Sequence, residues 1–234
     1  MNKIPKLSVL MSVYNARNDV AKSIESILNQ DFNDFEFLIL NDGSTDDTKK
    51  IIEKFVFLDN RIKLFNNLDN LGLTKSLNLL LKNSLGKFIV RQDSDDISLK
   101  NRFSTQINFL DSHEFDVCVT RAIVKGTNKL IPNRSFFLPK KIVFKFKNPF
   151  IHGTLMAKKE VFDAIGGYDS EFYYSQDYKF FLDCINLKYK IKYIKDPLYI
   201  LNMNNNISSL QSIEQKKYAE LVKKEYKIYE NIFK

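Results

Sequence analysis

Three carboxylates fall within four residues at Asp93-Ser94-Asp95-Asp96. Acids this close repel one another unless a cation neutralises them. Hard divalent ions such as Mg²⁺ or Mn²⁺ take oxygen ligands and often share one or two carboxylates with a substrate's phosphates. The same residues could form a solvated acidic turn, or cap a helix near Arg102. Position favours the metal reading, because the cluster directly follows the apolar strand pattern Lys87–Val90. A second polar cluster, Asn41-Asp42-Gly43-Ser44-Thr45-Asp46, follows another apolar run, Phe35–Leu40. Helix capping would account for Ser44, Thr45 and Asp46 as well as ligand binding would, but it does not account for Asp42. The Asp42 carboxylate could accept from the N–H edge of a base or from ribose hydroxyls. In the loop Asn148-Pro149-Phe150-Ile151-His152-Gly153-Thr154, His152 could reach a phosphate, a metal or an acceptor, or could be a buried structural histidine. His113, beyond a helix end, reads as solvated.

Regular elements must hold these clusters in place. Leu7–Val13 is an apolar run, the pattern of a strand buried on both faces. Val20, Ile24, Ile27 and Leu28 follow at helical spacing, then the strand Phe35–Leu40 and a helix marked by Ile51, Ile52 and Phe55. Arg61–Phe65 reads as a short strand, and Leu73, Leu77, Leu80 and Leu81 as the next helix. Strands alternating with helices in this way indicate βαβ units and a parallel sheet. Ligands of such sheets bind beyond the carboxyl ends of the strands. The polar punctuation lies there, at Tyr14–Arg17, Asn41–Asp47, Asn66–Gly72 and Arg91–Asp96. The second half is less regular: a helix at Phe103, Ile107 and Leu110, and a strand at Asp116–Thr120. Loops and short strands punctuated by Pro132, Pro139 and Pro149 come next, then a short helix through Val161, Phe162 and Ile165 that Gly166 stops. A helix Asp177–Leu187 and a strand Lys190–Ile194 follow. From about Ser209 the chain reads as helical, with a stripe of Tyr218, Val222, Tyr226, Tyr229 and Phe233 that suits docking on its own domain, a dimer contact or a membrane surface.

The 234 residues are enough for one substantial core, and 44% hydrophobic with 27% charged residues excludes disordered and low-complexity classes. The formal charge is +8, and its location says more than its size. Residues 121–159 hold ten Lys or Arg and no acid, leaving 26 basic against 28 acidic side chains elsewhere. Cys118 and Cys184 sit among apolar residues and read as buried thiols in a reducing compartment. No export signal and no run of about 20 apolar residues is evident, so the expected location is cytoplasmic.

Five motifs of the first half occur in order: Ser12-Val13-Tyr14-Asn15, Ser26-Ile27-Leu28-Asn29-Gln30, Asn41 to Asp46, Asn70-Leu71-Gly72 and Asp93 to Asp96. The second half adds Asn148 to Thr154, Gly166-Gly167-Tyr168-Asp169 and Gln176-Asp177-Tyr178. Together, over about residues 6–190, the chain resembles the family 2 glycosyltransferases of GT-A fold. The resemblance implies an α/β, Rossmann-like domain with a mostly parallel central sheet flanked by helices, spanning about 1–204. Residues 1–115 would be its nucleotide-sugar half, 116–204 its acceptor half, and 205–234 a C-terminal helical extension. It also implies inverting transfer from a nucleoside-diphosphate sugar, with UDP favoured, and Mn²⁺ or Mg²⁺ as cofactor. Asp177 would be the general base, and Asp95 with Asp93 would hold the metal. Val13, Tyr14, Asn15, Asp42, Asn70, Gly72, Lys75, Arg91, Asp93 and Ser94 would line the donor site. Asp96, His152 and Gln176 would face the acceptor.

Three departures from the family pattern stand out. Asn41 replaces one of two acids, Gln176 replaces the Glu beside the base, and Asn202, Asn204, Asn205 and Asn206 stand where Arg and His are usual. The absent Glu would by itself lower the pKa of Asp177. The absent cations leave Lys75 and Arg91 as contacts to the diphosphate. Two other readings compete. A nucleotidyltransferase would need a Gly-rich loop after the first strand, and Tyr14-Asn15-Ala16-Arg17-Asn18 has none. A nucleic-acid-binding protein would use the Phe and Lys residues of 136–147, but leaves the acidic cluster unexplained. The partners expected are therefore a nucleotide sugar and a saccharide acceptor, lipid-linked by resemblance, and no nucleic acid. Residues 121–159 would attract the acceptor's phosphates or an anionic membrane surface. The sequence leaves the oligomeric state open.

Overall fold

The structure, a computed structural model, describes residues 4–112, 114–204 and 211–232. His113, Asn205, Asn206 and Phe233, singled out above, lie outside the described residues. The apolar runs become strands covered on both faces. In β1 (Leu7–Val13), Leu10 enters one core cluster while Leu7, Val9, Met11 and Val13 enter the other. In β2 (Phe35–Asp42), Leu38 and Leu40 face one way and Phe35, Phe37 and Ile39 the other. Two buried faces remove the polar alternation that a half-exposed strand would show. The helices α1 (Val20–Leu28), α2 (Thr48–Leu58) and α4 (Arg102–Ser112) cover one face through Ile24, Ile52, Phe103 and Ile107. The other face is covered by α3 (Leu73–Lys82), α6 (Lys159–Ile165) and α7 (Gln176–Asn186), through Leu77, Phe162 and Phe181.

Among the described residues the sheet order is β3 (Ile62–Asn67), β2, β1, β4 (Phe88–Arg91), β8 (Met156–Lys158), β6 (Val117–Val124), β9 (Ile191–Leu201) and β5 (Ile97–Ser98). A further strand, β7 (Leu130–Ile131), pairs with β6. The α/β fold is as expected, but the mostly parallel sheet is not. Pairs β1–β2, β1–β4, β2–β3 and β6–β9 are parallel, whereas β4–β8, β6–β8, β5–β9 and β6–β7 are antiparallel. The sheet is mixed because β8 lies between β4 and β6 and runs against both. That seam positions the site. Since Val90 pairs with Met156 antiparallel, the residues just before β8 lie beside those just after β4. The turn His152–Thr154 therefore meets the acidic cluster.

The cationic segment is more helical than expected, forming α5 (Lys140–Phe144) and a 3₁₀ turn at Arg134–Phe136. The strand expected at Lys190–Ile194 extends to Leu201, where β9 ends beside the acidic cluster. The C-terminal helix α8 (Ser212–Ile232) docks on its own domain: Val222 and Tyr226 are buried, and the Tyr226 ring lies 5.1 Å from that of Phe144. Both cysteines are free and buried, as expected. No helix among the described residues is long and apolar enough to cross a membrane.

Candidate active site

The acidic turn is held from below by a buried polar network. Gln92, fully buried, donates Nε2 to Ser23 Oγ (3.0 Å), the Asp93 carbonyl (3.1 Å) and the Asp96 carbonyl (3.0 Å). Its Oε1 accepts from Ser98 Oγ at 2.7 Å and Arg102 Nη1 at 3.1 Å. Arg102 is also fully buried, donating Nε to Gln106 Oε1 at 2.9 Å and Nη2 to the Arg91 carbonyl at 2.9 Å. Burial lowers its pKa to about 10, which leaves it charged at neutral pH. Tyr199 on β9 accepts the Asp93 amide at 3.1 Å. The Ser26–Gln30 motif has its reason here too. Ser26 Oγ accepts the Ser98 amide (3.1 Å), Gln30 Nε2 donates to the Leu99 carbonyl (2.9 Å), and Gln30 Oε1 accepts the Phe103 amide (3.0 Å).

The acids sit differently from one another. Asp96 is 1% exposed, and its Oδ1 accepts the Asn202 amide at 2.6 Å. Burial, then the charges of Asp93 and Asp95, push its pKa well above the carboxylate range. Asp96 thus fastens the turn to the end of β9 instead of facing a ligand. Arg91, expected at the diphosphate, is 2% exposed and donates Nη2 to Asp93 Oδ1 at 2.6 Å. The second oxygen, Oδ2, lies where a Cβ on Gly153 would come within 2.7 Å, so only glycine fits at that crossing. Asp95 is half-buried, and its pKa rises to about 6, first from burial and then from the charge of Asp93. Ser94 is half-buried at the same turn.

Across the sheet, the loops after β1 and β2 are stitched together. Asn15, at φ 49°, donates its amide to Ser44 Oγ (3.0 Å) and accepts the Thr45 amide on Oδ1 (2.8 Å). Asp46 Oδ1 accepts the Thr48 amide (2.9 Å) at the start of α2, so capping suits Asp46 better than Ser44 or Thr45. Asp42 is buried: Oδ1 accepts Asn67 Nδ2 (2.7 Å) and the Leu71 amide (3.0 Å), and Oδ2 the Gly72 amide (2.9 Å). It clamps the Asn70–Gly72 loop, where Asn70 Oδ1 also accepts the Gly72 amide at 3.0 Å. Gly72, at φ 89°, lies against the Tyr173 ring, which an added Cβ would meet at 2.4 Å. Val13 is buried beside Asn41, while the Tyr14 side chain stays 48% exposed and Lys75 is exposed on α3.

The second half closes the site. Asp177, in the first turn of α7, is half-buried, and its Oδ2 accepts Asn148 Nδ2 at 2.7 Å. Burial raises its pKa despite the lowering hydrogen bonds from the Tyr178 amide and Asn148, and the charge of Asp93 raises it further. The downward effect expected from losing the neighbouring Glu is thus outweighed by burial. His152 Nε2 lies 2.7 Å from the Tyr168 hydroxyl, and burial with the charge of Arg91 holds it neutral, well below its usual pKa. Gln176 is buried, and Ser175 donates Oγ to Gln215 Oε1 (2.9 Å), tying the start of α7 to α8. The fold thus brings Asp93, Asp95, Arg91, His152 and Asp177 into one electrostatic neighbourhood. Gln92, Arg102 and Tyr199 are the residues a motif reading misses. Their one cue is Ser98, Arg102 and Gln106 recurring every fourth residue beside Phe103 and Ile107.

The sequence profile of Glycosyl transferase family 2 matches residues 8–169. The chain belongs to this family. Among family relatives it is 35% identical over 178 residues to the putative glycosyltransferase EpsE of Bacillus subtilis (strain 168), covering 73% of this chain and 62% of EpsE. It is 33% identical over 184 residues to the O-antigen biosynthesis glycosyltransferase WbnJ of Escherichia coli, covering 77% of this chain and 72% of WbnJ. Two solved structures share the fold. S. aureus TarS 1-349 in complex with UDP-GlcNAc matches with TM-score 0.73 at 23% identity, over 86% of this chain and 59% of that one. The mannosyltransferase PcManGT from Pyrobaculum calidifontis, in complex with GDP-Man and Mn²⁺, matches with TM-score 0.74 at 16% identity, over 93% of this chain and 62% of that one. The chain therefore spans less than two thirds of EpsE and of both solved relatives.

Proposed function

We propose that this family 2 chain transfers a sugar, with inversion, from a nucleoside-diphosphate sugar to a hydroxyl of a saccharide acceptor. The observation that carries the proposal is Asp177. It is a half-buried carboxylate, raised in pKa and oriented by the Asn148 amide, with no ion pair among the described residues to neutralise it. Such a group takes the proton of an attacking hydroxyl well. In one displacement the acceptor oxygen's electron pair forms the bond to the anomeric carbon, opposite the leaving group. The bond from that carbon to the diphosphate breaks, its electrons leave with the nucleotide, and the hydroxyl proton ends on Asp177.

The donor would lie over the carboxyl ends of β1, β2 and β4. Tyr14 offers an exposed ring for the base, bordered by Asn15 and by the Asn70–Gly72 loop that Asp42 sets. With Arg91 engaged by Asp93, Lys75 is the exposed one of the two cations expected at the diphosphate. TarS with UDP-GlcNAc and PcManGT with GDP-Man support a nucleoside-diphosphate sugar, and WbnJ supports an acceptor in bacterial surface polysaccharide synthesis.

Among the described residues no three His, Cys, Asp or Glu side chains gather as a metal site. Two carboxylates still suit Mn²⁺ or Mg²⁺, which usually take their other ligands from phosphates and water. Burial and then the charge of Asp93 already make an ionised Asp95 costly, which a cation would relieve, and PcManGT with Mn²⁺ supports this reading. Such an ion, when bound, would balance the charge on the leaving diphosphate. Asp96 positions this turn, and neutral His152 orients the neighbouring Tyr168. We place the acceptor on a lipid carrier at the cytoplasmic face of a membrane, drawn there by residues 121–159. Replacing Asp177 with Asn tests the proposal: transfer should vanish while nucleotide binding persists. Near-normal turnover would remove the proposed base.

A further inference from the structure

The ten cations of residues 121–159 are not equivalent. Lys125 pairs with Asp19 (2.8 Å), Lys145 with Glu230 (2.9 Å), Lys158 with Asp116 (2.9 Å) and Lys159 with Asp163 (2.6 Å). Lys140 is turned onto the carbonyls of Ser135, Phe136 and Leu138. Lys129, Arg134 and Lys147 make no ion pair among the described residues, and all three line one groove of about 830 Å³. Its walls include Ile131, Leu138, Ile142 and Phe146, and no acid lines it. Leu138 and Ile142 are each 51% exposed and Phe146 is 69% exposed, a large apolar surface to leave in water. The volume lies within the range of small-ligand sites. Asn148, which also lines the groove, donates to Asp177.

We infer that this groove binds the junction of an apolar chain and its phosphate on a lipid-phosphate-linked acceptor. The inference rests on the lipid-linked reading above and assigns it a site. The apolar walls take the first part of the chain, and Lys129, Arg134 and Lys147 take the phosphates. The attached sugar then extends past Asn148 toward Asp177. A flat bilayer would require neither the concavity nor its end at the base. The wall is anchored for this role, because the Lys145–Glu230 pair fixes the end of α5 to α8.

Farnesyl diphosphate is a suitable water-soluble probe, titrated against the full chain beside farnesol, inorganic diphosphate and phosphatidylglycerol vesicles. Farnesyl diphosphate should bind more tightly than either fragment, and UDP should not displace it. Phe146→Asp combined with Lys147→Glu should weaken it about tenfold or more, the scale of one charge-assisted contact, leaving the UDP-induced thermal shift unchanged. Lys147→Glu alone, milder for folding, should weaken it several-fold. Three results would each overturn the inference: equal affinity in the variants, equal affinity for inorganic diphosphate, or binding to vesicles without binding to the monomeric probe. A chain that binds the probe but no nucleotide would instead overturn the transferase reading and leave the lipid-phosphate site standing.

Discussion

Replacing Asn148 with Ala removes the amide that holds Asp177 Oδ2 at 2.7 Å. A hydrogen bond to an ionised group is worth about 1.5–3 kcal/mol and one to a neutral group about 0.5–1.5. The ionised form of Asp177 therefore loses about 1–1.5 kcal/mol relative to the protonated form, which at about 1.4 kcal/mol per unit raises the pKa by roughly one unit. The sign adds to the existing shift, since burial already raises Asp177. A general base works only when ionised, so the acid limb of the pH–rate profile should move to higher pH by about one unit. Above the limb, only the loss of orientation should remain. The assay is kcat/KM for the preferred nucleotide sugar across pH, for wild type and Asn148→Ala. A limb that stays in place, or moves to lower pH, would mean that Asn148 does not stabilise the ionised Asp177.

Two other substitutions probe the scaffold. Arg102→Met leaves the oxygens of Gln92, Gln106 and the Arg91 carbonyl short of a buried donor and should destabilise the fold by about 3 kcal/mol or more, read from urea unfolding. Gly153→Ala places a Cβ within 2.7 Å of both Asp93 Oδ2 and the Tyr199 hydroxyl. Tyr199 is fully buried and cannot yield cheaply, so Asp93 should be displaced and the Mn²⁺-dependent part of nucleotide binding should fall, read by calorimetric titration.

The parallel half of the sheet was legible because β1 and β2 are buried on both faces and are therefore mainly apolar, with Ser8 and Glu36 bonded to each other inside. The antiparallel seam was not legible: β8 has three residues and β5 two, too short for any period to show. The same seam brings Gly153 of the His152–Thr154 turn against Asp93, a contact that the spacing of the two motifs does not show. Asp177 and Asp95 were singled out by their motifs, and the structure places the first against Asn148 and the second beside Asp93, both half-buried. Arg91 and Asp96 were expected at ligands through the family resemblance, which does not encode their burial. Their burial depends on Asp93 and Asn202, the latter 106 residues from Asp96. No local pattern encodes a contact of that range. The charge of residues 121–159 was visible as a sum, but its division into paired cations and a free rim required the partners Asp19, Asp116, Asp163 and Glu230.

The most direct test of the central claim is a paired measurement on Asp177→Asn, an isosteric change that keeps the Asn148 contact within reach. Transfer of sugar from the preferred nucleotide sugar is measured alongside the thermal shift that nucleotide and Mn²⁺ induce. With Asp177 as the base, transfer should fall by at least about 100-fold, the lower range of general-base contributions, while the thermal shift matches wild type. Transfer within a few-fold of wild type, at an unchanged thermal shift, would contradict that role.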